Sequence, residues 1–91
     1  MNNKRYDYKN GSTYEGSWKG GFRDGKGKMY WVDGAVYEGE WVLGFAHGKG
    51  KFIDPLGNMY EGSFYMSMAH GYGVYINTEG STYEGSWRFD K

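Results

Sequence analysis

The tripeptide Tyr-Glu-Gly recurs four times along this chain, and each copy begins 23 residues after the previous one. The copies start at Tyr14, Tyr37, Tyr60 and Tyr83. When the three complete copies are aligned, six positions are identical: the Tyr, the Glu and four glycines. A fixed period of this length is typical of a repeat protein, in which each unit packs mainly against its neighbours.

The period divides the chain into units without any insertion, so we expect one repeat domain over residues 1–91. Full units are predicted at 14–36, 37–59 and 60–82, followed by a half unit at 83–91. Residues 1–13 align with the second half of a unit, because Gly11 matches Gly34. They form a preceding half unit.

Each unit has the pattern of a β-hairpin. In the first unit, aromatic, polar and glycine residues alternate from Tyr14 to Trp18, and a second alternating stretch covers Gly25 to Tyr30. A helix is disfavoured because each interior glycine costs it about 1 kcal/mol relative to alanine. Loops are predicted between the strands at 19–24, 42–47 and 65–70, and turns at the late glycines, such as Asp33-Gly34.

The chemistry of the two strands also predicts how they pair. On one face the expected pairs are Tyr37–Phe52, Gly39–Gly50 and Trp41–Gly48; on the other they are Glu38–Lys51 and Glu40–Lys49. This register matches rings with glycine gaps on one face and opposite charges on the other. In the third unit Tyr72 and Val74 replace the two lysines, which makes that part of the second face more apolar.

Aromatic residues must supply the core, because they make up 21% of the chain while Leu, Ile and Val are few. A single layer has no second sheet to cover its rings, so the rings are expected to stack from unit to unit over glycines. The predicted fold is therefore all-β: an elongated single-layer antiparallel sheet of tandem 23-residue hairpins. Its predicted core residues are Tyr14, Trp18, Tyr37, Trp41, Tyr60, Phe64 and Tyr83.

Several kinds of chemical site are argued against by the sequence. The chain has no Cys, and its two histidines, His47 and His70, are one repeat apart, roughly 10 Å along the sheet, so we expect no metal site. The segment Gly20–Lys26 resembles a phosphate loop, but Gly27 stands where Ser or Thr would hold magnesium. The repeated glutamates lie too far apart to share a proton. We therefore predict no catalytic residue, cofactor or small-molecule substrate, and no enzyme activity.

Charge and hydropathy narrow the expected partners. The formal net charge is zero, which argues against nucleic acid as a partner. Residues 1–36 are the basic part, so weak contact with anionic lipid is the alternative to a protein partner. The sequence shows no apolar run long enough to span a membrane and no signal-peptide pattern at its start. We expect an intracellular protein, cytoplasmic or cytoskeletal.

Apolar content rises in the successive loops between the hairpin strands. Exposed apolar residues on a polar protein favour a partner surface. The candidate partner-binding residues are Val42, Leu43, Phe45, Tyr65, Met66, Met68 and Trp87. The last predicted strand, Tyr83 to Arg88, would leave an unpaired edge that either more chain or another protein covers by strand addition.

The repeat resembles the MORN (membrane occupation and recognition nexus) family. The resemblance is carried by Tyr37-Glu38-Gly39-Glu40-Trp41, Gly48-Lys49-Gly50 and Asp33-Gly34, and it covers essentially residues 6–89. It implies a scaffold or targeting element, with any enzyme activity in another domain. It also implies a protein–protein interaction module of a larger assembly, cytoskeletal or ciliary, with a phospholipid-binding targeting module as the alternative.

Overall fold

The structure is a computed structural model that describes residues 2–88. Met1 and residues 89–91 of the predicted last half unit lie outside the described residues. The strands are β1 (Asn2–Asp7), β2 (Thr13–Lys19), β3 (Phe22–Tyr30), β4 (Val36–Val42), β5 (Phe45–Ile53), β6 (Met59–Tyr65), β7 (Met68–Ile76) and β8 (Thr82–Trp87). They form one antiparallel sheet in chain order, with overall dimensions of 37 × 24 × 17 Å, so the predicted fold class is confirmed.

The connections between strands lie alternately at the two ends of the strands, so they form two rows on opposite sides of the sheet. Those after β1, β3, β5 and β7 are wide turns closed by a glycine at positive φ, such as Gly34 at 100°. In the third of these turns, Asp54 accepts hydrogen bonds from the backbone N–H groups of Leu56 and Asn58. The Asn58 side chain also donates to it, and these bonds lower the pKa of the Asp54 carboxyl. The predicted turns at the late glycines are thus confirmed.

The connections after β2, β4 and β6 are much tighter than predicted. Each is a two-residue turn, so β3, β5 and β7 begin at Phe22, Phe45 and Met68 rather than later. The prediction of loops at 19–24, 42–47 and 65–70 is therefore wrong, since most of these residues belong to strands. Both central residues of each turn have positive φ, which matches the right-handed twist of the flanking strands.

Three of the five predicted strand pairs are confirmed and two are wrong. Tyr37 pairs with Phe52, Glu38 with Lys51 and Gly39 with Gly50, as expected. Beyond Gly39 the register shifts, so Trp41 pairs with Ala46 instead of Gly48, and Glu40 pairs with Lys26 of β3 rather than with Lys49. The shift is a β-bulge in which Gly48 adopts a φ of +82° and the Glu40 carboxylate accepts the Lys49 backbone N–H at 3.3 Å.

One face of the sheet, here called the ring face, carries a continuous row of aromatic side chains. Each repeat Tyr contacts the aromatic residue four positions later in its own strand, and Tyr14, Tyr37 and Tyr60 also contact the equivalent ring of the next unit. These contacts are edge-to-face, with ring centroids 5.0–5.4 Å apart. In order along the sheet the row is Trp18, Tyr14, Trp41, Tyr37, Phe64, Tyr60, Trp87 and Tyr83. The predicted unit-to-unit stacking is thereby confirmed.

In the three full units, the repeat tyrosines Tyr14, Tyr37 and Tyr60 each lie across a pair of facing glycines. A Cβ added to Gly27 would be 2.0 Å from the Tyr14 hydroxyl, and one added to Gly50 would be 2.2 Å from the Tyr37 hydroxyl. The hydroxyl of Tyr37 donates a 3.0 Å hydrogen bond to the backbone carbonyl of Glu40. Burial raises the pKa of Tyr14 to about 12 and raises that of Tyr37 as well, so both remain protonated donors at neutral pH.

The predicted core residues do not all lie in the interior. Tyr14, Tyr37, Trp41, Tyr60 and Phe64 are buried. Trp18 is partly buried against this cluster. Tyr83 is 52% exposed, because β8 is the last strand described and no further described strand lies over its ring. The core placement of Tyr83 therefore needs correction for the described residues.

Trp41→Ala should lower the free energy of unfolding by about 3–5 kcal/mol, because it removes a buried ring that touches two tyrosines. Phe45→Ala, which truncates an exposed ring, should cause a much smaller loss. Urea unfolding followed by circular dichroism measures both. Equal losses would contradict the assignment of the ring face as the core.

Candidate functional site

Exposed apolar side chains are concentrated along the side of the sheet where β2, β4 and β6 end, at and beside the three two-residue turns. We call this set the apolar turn edge. Its exposed members are Phe22, Val42, Leu43, Phe45, Tyr65 and Met66, with Met68 partly buried beside them. Five of the seven partner residues predicted from the sequence are exposed here. The fold therefore gathers into one place residues that are separated by a full repeat in the chain.

Two of these apolar residues are held in a backbone conformation that favours glycine. Leu43 and Met66 each have a φ of +49°, at the first position of their turns, where the first unit has Gly20. A side chain with a Cβ is disfavoured in the left-handed region by roughly 1–2 kcal/mol. Leu43 is 60% exposed and Met66 is 47% exposed, so little burial compensates for this strain.

The apolar turn edge is also tied together from one hairpin to the next. Gly44 donates its backbone N–H to the carbonyl of Arg23 at 2.9 Å, and Ser67 donates its backbone N–H to the carbonyl of Ala46 at the same distance. The Ser67 hydroxyl in turn accepts the N–H of Ala46 at 3.0 Å. This additional bond accounts for a serine at φ +67° where the other turns have glycine. Successive turns are consequently fixed relative to one another.

The face opposite the rings, here called the charged face, carries alternating charges across the strands. The register places Arg5, Glu15, Lys28, Glu38, Lys51 and Glu61 in one row from β1 to β6. The hydrogen bond between Lys28 and Tyr30 is the largest cause that raises the pKa of Lys28, and the nearby Glu38 and Glu15 raise it further. An open groove of about 1100 Å³ runs over this row.

The alternation ends at β7, as the sequence predicts. Val74 occupies the position of Lys28 and Lys51, and it lies between Glu61 and Glu84. Beside it, the exposed Tyr72 hydroxyl hydrogen-bonds to the Glu84 carboxylate, which raises the pKa of that phenol. The charged face is thus more apolar and more acidic toward its C-terminal end.

The structure places the residues considered for chemical sites in ordinary strand positions. His47 and His70 lie on β5 and β7, not in loops, and their rings approach Tyr65 at 5.5 and 5.8 Å. Among residues 2–88, no group of three or more potential ligands comes together to hold a metal ion. The segment resembling a phosphate loop is a two-residue turn that leads into β3, so it lacks the helix such a site requires.

The remaining predicted partner residue, Trp87, lies elsewhere. It is partly buried on the ring face, where its ring contacts Tyr60 at 5.3 Å and its Nε1–H donates to the carbonyl of Gly73. Sequence reasoning placed these residues in six-residue loops and so missed the strained two-residue turns. The signal that could have revealed them is that Leu43 and Met66 align with Gly20.

Eight hairpin strands, a glycine-spaced ring face and turns repeating every 23 residues define a tandem β-hairpin repeat protein. The family model described as the MORN repeat matches residues 14–36, 37–59, 60–82 and 83–91. The chain therefore belongs to the MORN-repeat family. A comparison with curated proteins gives no match.

MORN repeats are a non-catalytic repeat module, known in protein–protein and membrane-binding contexts. In the described part of this chain, no helix has the length and hydropathy that crossing a membrane requires.

Leu43→Asn should raise the free energy of unfolding by about 1 kcal/mol, because Asn followed by Gly44 suits a turn with two positive φ angles. Leu56→Asn is the matched control, since Leu56 is 81% exposed in a turn but does not have a positive φ. Urea unfolding of both variants and the parent chain measures the difference. If Leu43→Asn destabilises the protein, Leu43 makes a contact that offsets its strain.

Proposed function

We propose that this chain is a protein-interaction module that binds its partner along the apolar turn edge. The observation that carries the proposal is the pair of exposed apolar residues, Leu43 and Met66, kept at positive φ. Glycine or asparagine would serve the fold better at both positions. Exposed apolar side chains that oppose local backbone preference are best explained by a contact outside the chain.

The composition of the edge suits a protein partner. Met66 and Met68 have flexible, polarisable side chains that adapt to an irregular surface. Phe45 and Tyr65 add large rings, which are enriched at the centres of protein interfaces. Because the turns are hydrogen-bonded to neighbouring hairpins, the edge presents these groups in a fixed arrangement, which lowers the entropy lost on binding.

The setting we propose is a larger assembly in which this module acts as a structural scaffold, of a cytoskeletal or ciliary kind. The family resemblance supports that setting, and the extended sheet supports it physically. Tandem hairpins keep the apolar groups in a line along one edge, so a partner can contact several units at once. We propose no catalytic role for the described residues.

A direct test compares partner capture by matched variants. Three tagged chains are incubated with lysate of the source cells: the parent 91-residue chain, the double variant Leu43→Asn with Met66→Asn, and Leu56→Asn. The bound proteins are then quantified by mass spectrometry. We expect the double variant to lose a defined set of proteins that the Leu56→Asn control retains. Identical recovery by all three chains would contradict binding at the apolar turn edge.

Weak lipid contact is the second candidate, favoured by the basic N-terminal third. Residues 1–36 contain seven Lys and Arg against four Asp and Glu. Each basic residue near an anionic surface contributes about 1 kcal/mol, and screening acts over about 8 Å at physiological salt.

Sedimentation with phosphatidylserine vesicles is therefore expected to show weak binding that disappears as salt rises. Neutral phosphatidylcholine vesicles serve as the control. Tight binding that persists at high salt would instead favour a membrane-targeting role over the protein-interaction role.

A further inference from the structure

An open pocket of about 700 Å³ lies at the N-terminal end of the ring face, and it shares no lining residue with the groove on the charged face. Its walls combine aromatic rings with cationic side chains. The residues whose side chains matter here are Lys4, Tyr6, Tyr8, Trp18 and Arg23. The register assigns Lys4, Tyr6 and Arg23 to the ring face, since they pair with Gly16, Tyr14 and Trp18.

Three basic residues line this pocket, and two of them, Lys4 and Arg23, depart from the repeat in the same way. Arg23 occupies the position that is Ala46 in the second unit and Ala69 in the third, and both alanines are buried. Lys4 occupies the position of a glycine, such as Gly27, over which a Tyr ring lies. The fold therefore works with small residues at these two positions, and the first units replace them with positive charges that meet in one pocket.

The Arg23 guanidinium is held in place by its surroundings. It donates hydrogen bonds of 2.8 Å to the Tyr8 hydroxyl and to the carbonyl of Gly44. Its Cζ lies 4.9 Å from the centroid of the Trp41 ring and 5.8 Å from that of Tyr8. These contacts involve neutral groups, so the positive charge itself is not matched by a carboxylate in any ion pair of the described residues.

The charge of Lys4 is likewise unmatched by a carboxylate among the described residues. Lys4 is exposed and forms no ion pair among residues 2–88, whereas its neighbour Arg5 is paired with Asp7 at 3.3 Å. Beside Lys4, Tyr6 is exposed and packs on Tyr8 and Trp18 with centroids 4.7 and 5.9 Å away. The pocket thus offers two unmatched positive charges next to an accessible aromatic wall.

We propose that this pocket binds an acidic peptide segment, with an Asp or Glu carboxylate at Arg23 and Lys4 and a neighbouring apolar side chain against Tyr6. An arginine held in one orientation matches a carboxylate well, because its planar group presents paired donors. The volume exceeds that of a single small anion and accommodates several residues of a chain. This proposal rests on the proposed function, since it supplies a second contact for a protein partner.

A peptide fits the observations better than a membrane does. Stable binding to anionic lipid requires several basic groups that reach a flat surface together. Here Arg23 is partly buried and hydrogen-bonded inside the pocket, and the chain as a whole has no net charge. A slender carboxylate side chain can reach Arg23, while a lipid surface would contact mainly Lys4.

The experiment selects peptides from a random library displayed on phage, using the full 91-residue chain as the target. The selected peptides are then synthesised, labelled and titrated by fluorescence anisotropy. We expect them to contain Asp or Glu beside an apolar residue, and replacement of that acid by Asn or Gln should weaken binding at least about tenfold. Selection of peptides that do not require an acid would overturn the proposal.

Protein variants then locate the contact. Arg23→Ala, which restores the residue of the other two units, should weaken binding about tenfold or more, and Lys4→Gln should weaken it to a lesser degree. Lys49→Gln removes a charge from the opposite face and should leave binding unchanged. The pocket is not the site if the double variant, Lys4→Gln with Arg23→Ala, binds the peptides as tightly as the parent chain. The same conclusion follows if Lys49→Gln weakens binding as much as Arg23→Ala does. Should Arg23→Ala fail to fold, Lys4→Gln and the acid-to-amide peptides decide the outcome.

Two further arms separate this proposal from its neighbours. Leu43→Asn should bind the acidic peptides normally, so loss of partner capture by that variant alone bears on the apolar turn edge and not on the pocket. A different result would overturn the proposal in favour of lipid: phosphatidylserine vesicles bind the parent chain but not Arg23→Ala, while no acidic peptide distinguishes the two chains.

Discussion

The close contact of each repeat tyrosine with a pair of facing glycines determines the architecture of this protein. Only glycine leaves room for the ring, because a Cβ at Gly50 would come within 2.5 Å of the Tyr37 ring carbons. The ring then lies flat enough to touch Trp41 in its own unit and Phe64 in the next. A single layer of strands thereby buries its aromatic residues without a second sheet, and the same contact recurs in every unit.

This arrangement leaves the rest of the surface free to differ between units. The opposite face needs only matched charges, and the turns need only positive φ at two positions. Leu43 and Met66 satisfy the second requirement poorly, and Arg23 replaces a small residue that the ring face accepts elsewhere. The residues that carry the two proposals, Leu43, Met66 and Arg23, therefore stand at positions where the units differ, while the repeat tyrosines and the glycines that their rings cover remain the same in the full units.

The sequence predicted most of the fold because its period locates every unit and its charges fix the pairing of Glu38 with Lys51. It failed where glycine has two different uses. Gly50 is needed for space, whereas Gly48 is needed for a positive φ at a bulge, and nothing in the residue type distinguishes them. The sequence predicted most of the residues that make up the apolar turn edge. It did not predict the positive φ of Leu43 and Met66, because the two-residue turns follow from the bulge. The pocket at Arg23 depends on contacts between residues far apart in the chain, since Arg23 bonds both the Tyr8 hydroxyl and the carbonyl of Gly44.

Comparing the stability of Gly50→Ala with that of Lys49→Ala, the neighbouring substitution on the charged face, tests directly whether the tyrosine rings depend on the glycine pairs. We expect Gly50→Ala to lower the free energy of unfolding by at least about 2 kcal/mol, because the added methyl meets the Tyr37 ring and hydroxyl. Lys49→Ala, at an exposed position, should change it by less than about 0.5 kcal/mol. Urea unfolding of the two variants gives both values. A Gly50→Ala variant as stable as Lys49→Ala would show that the ring does not depend on the glycine pair, and would contradict the account.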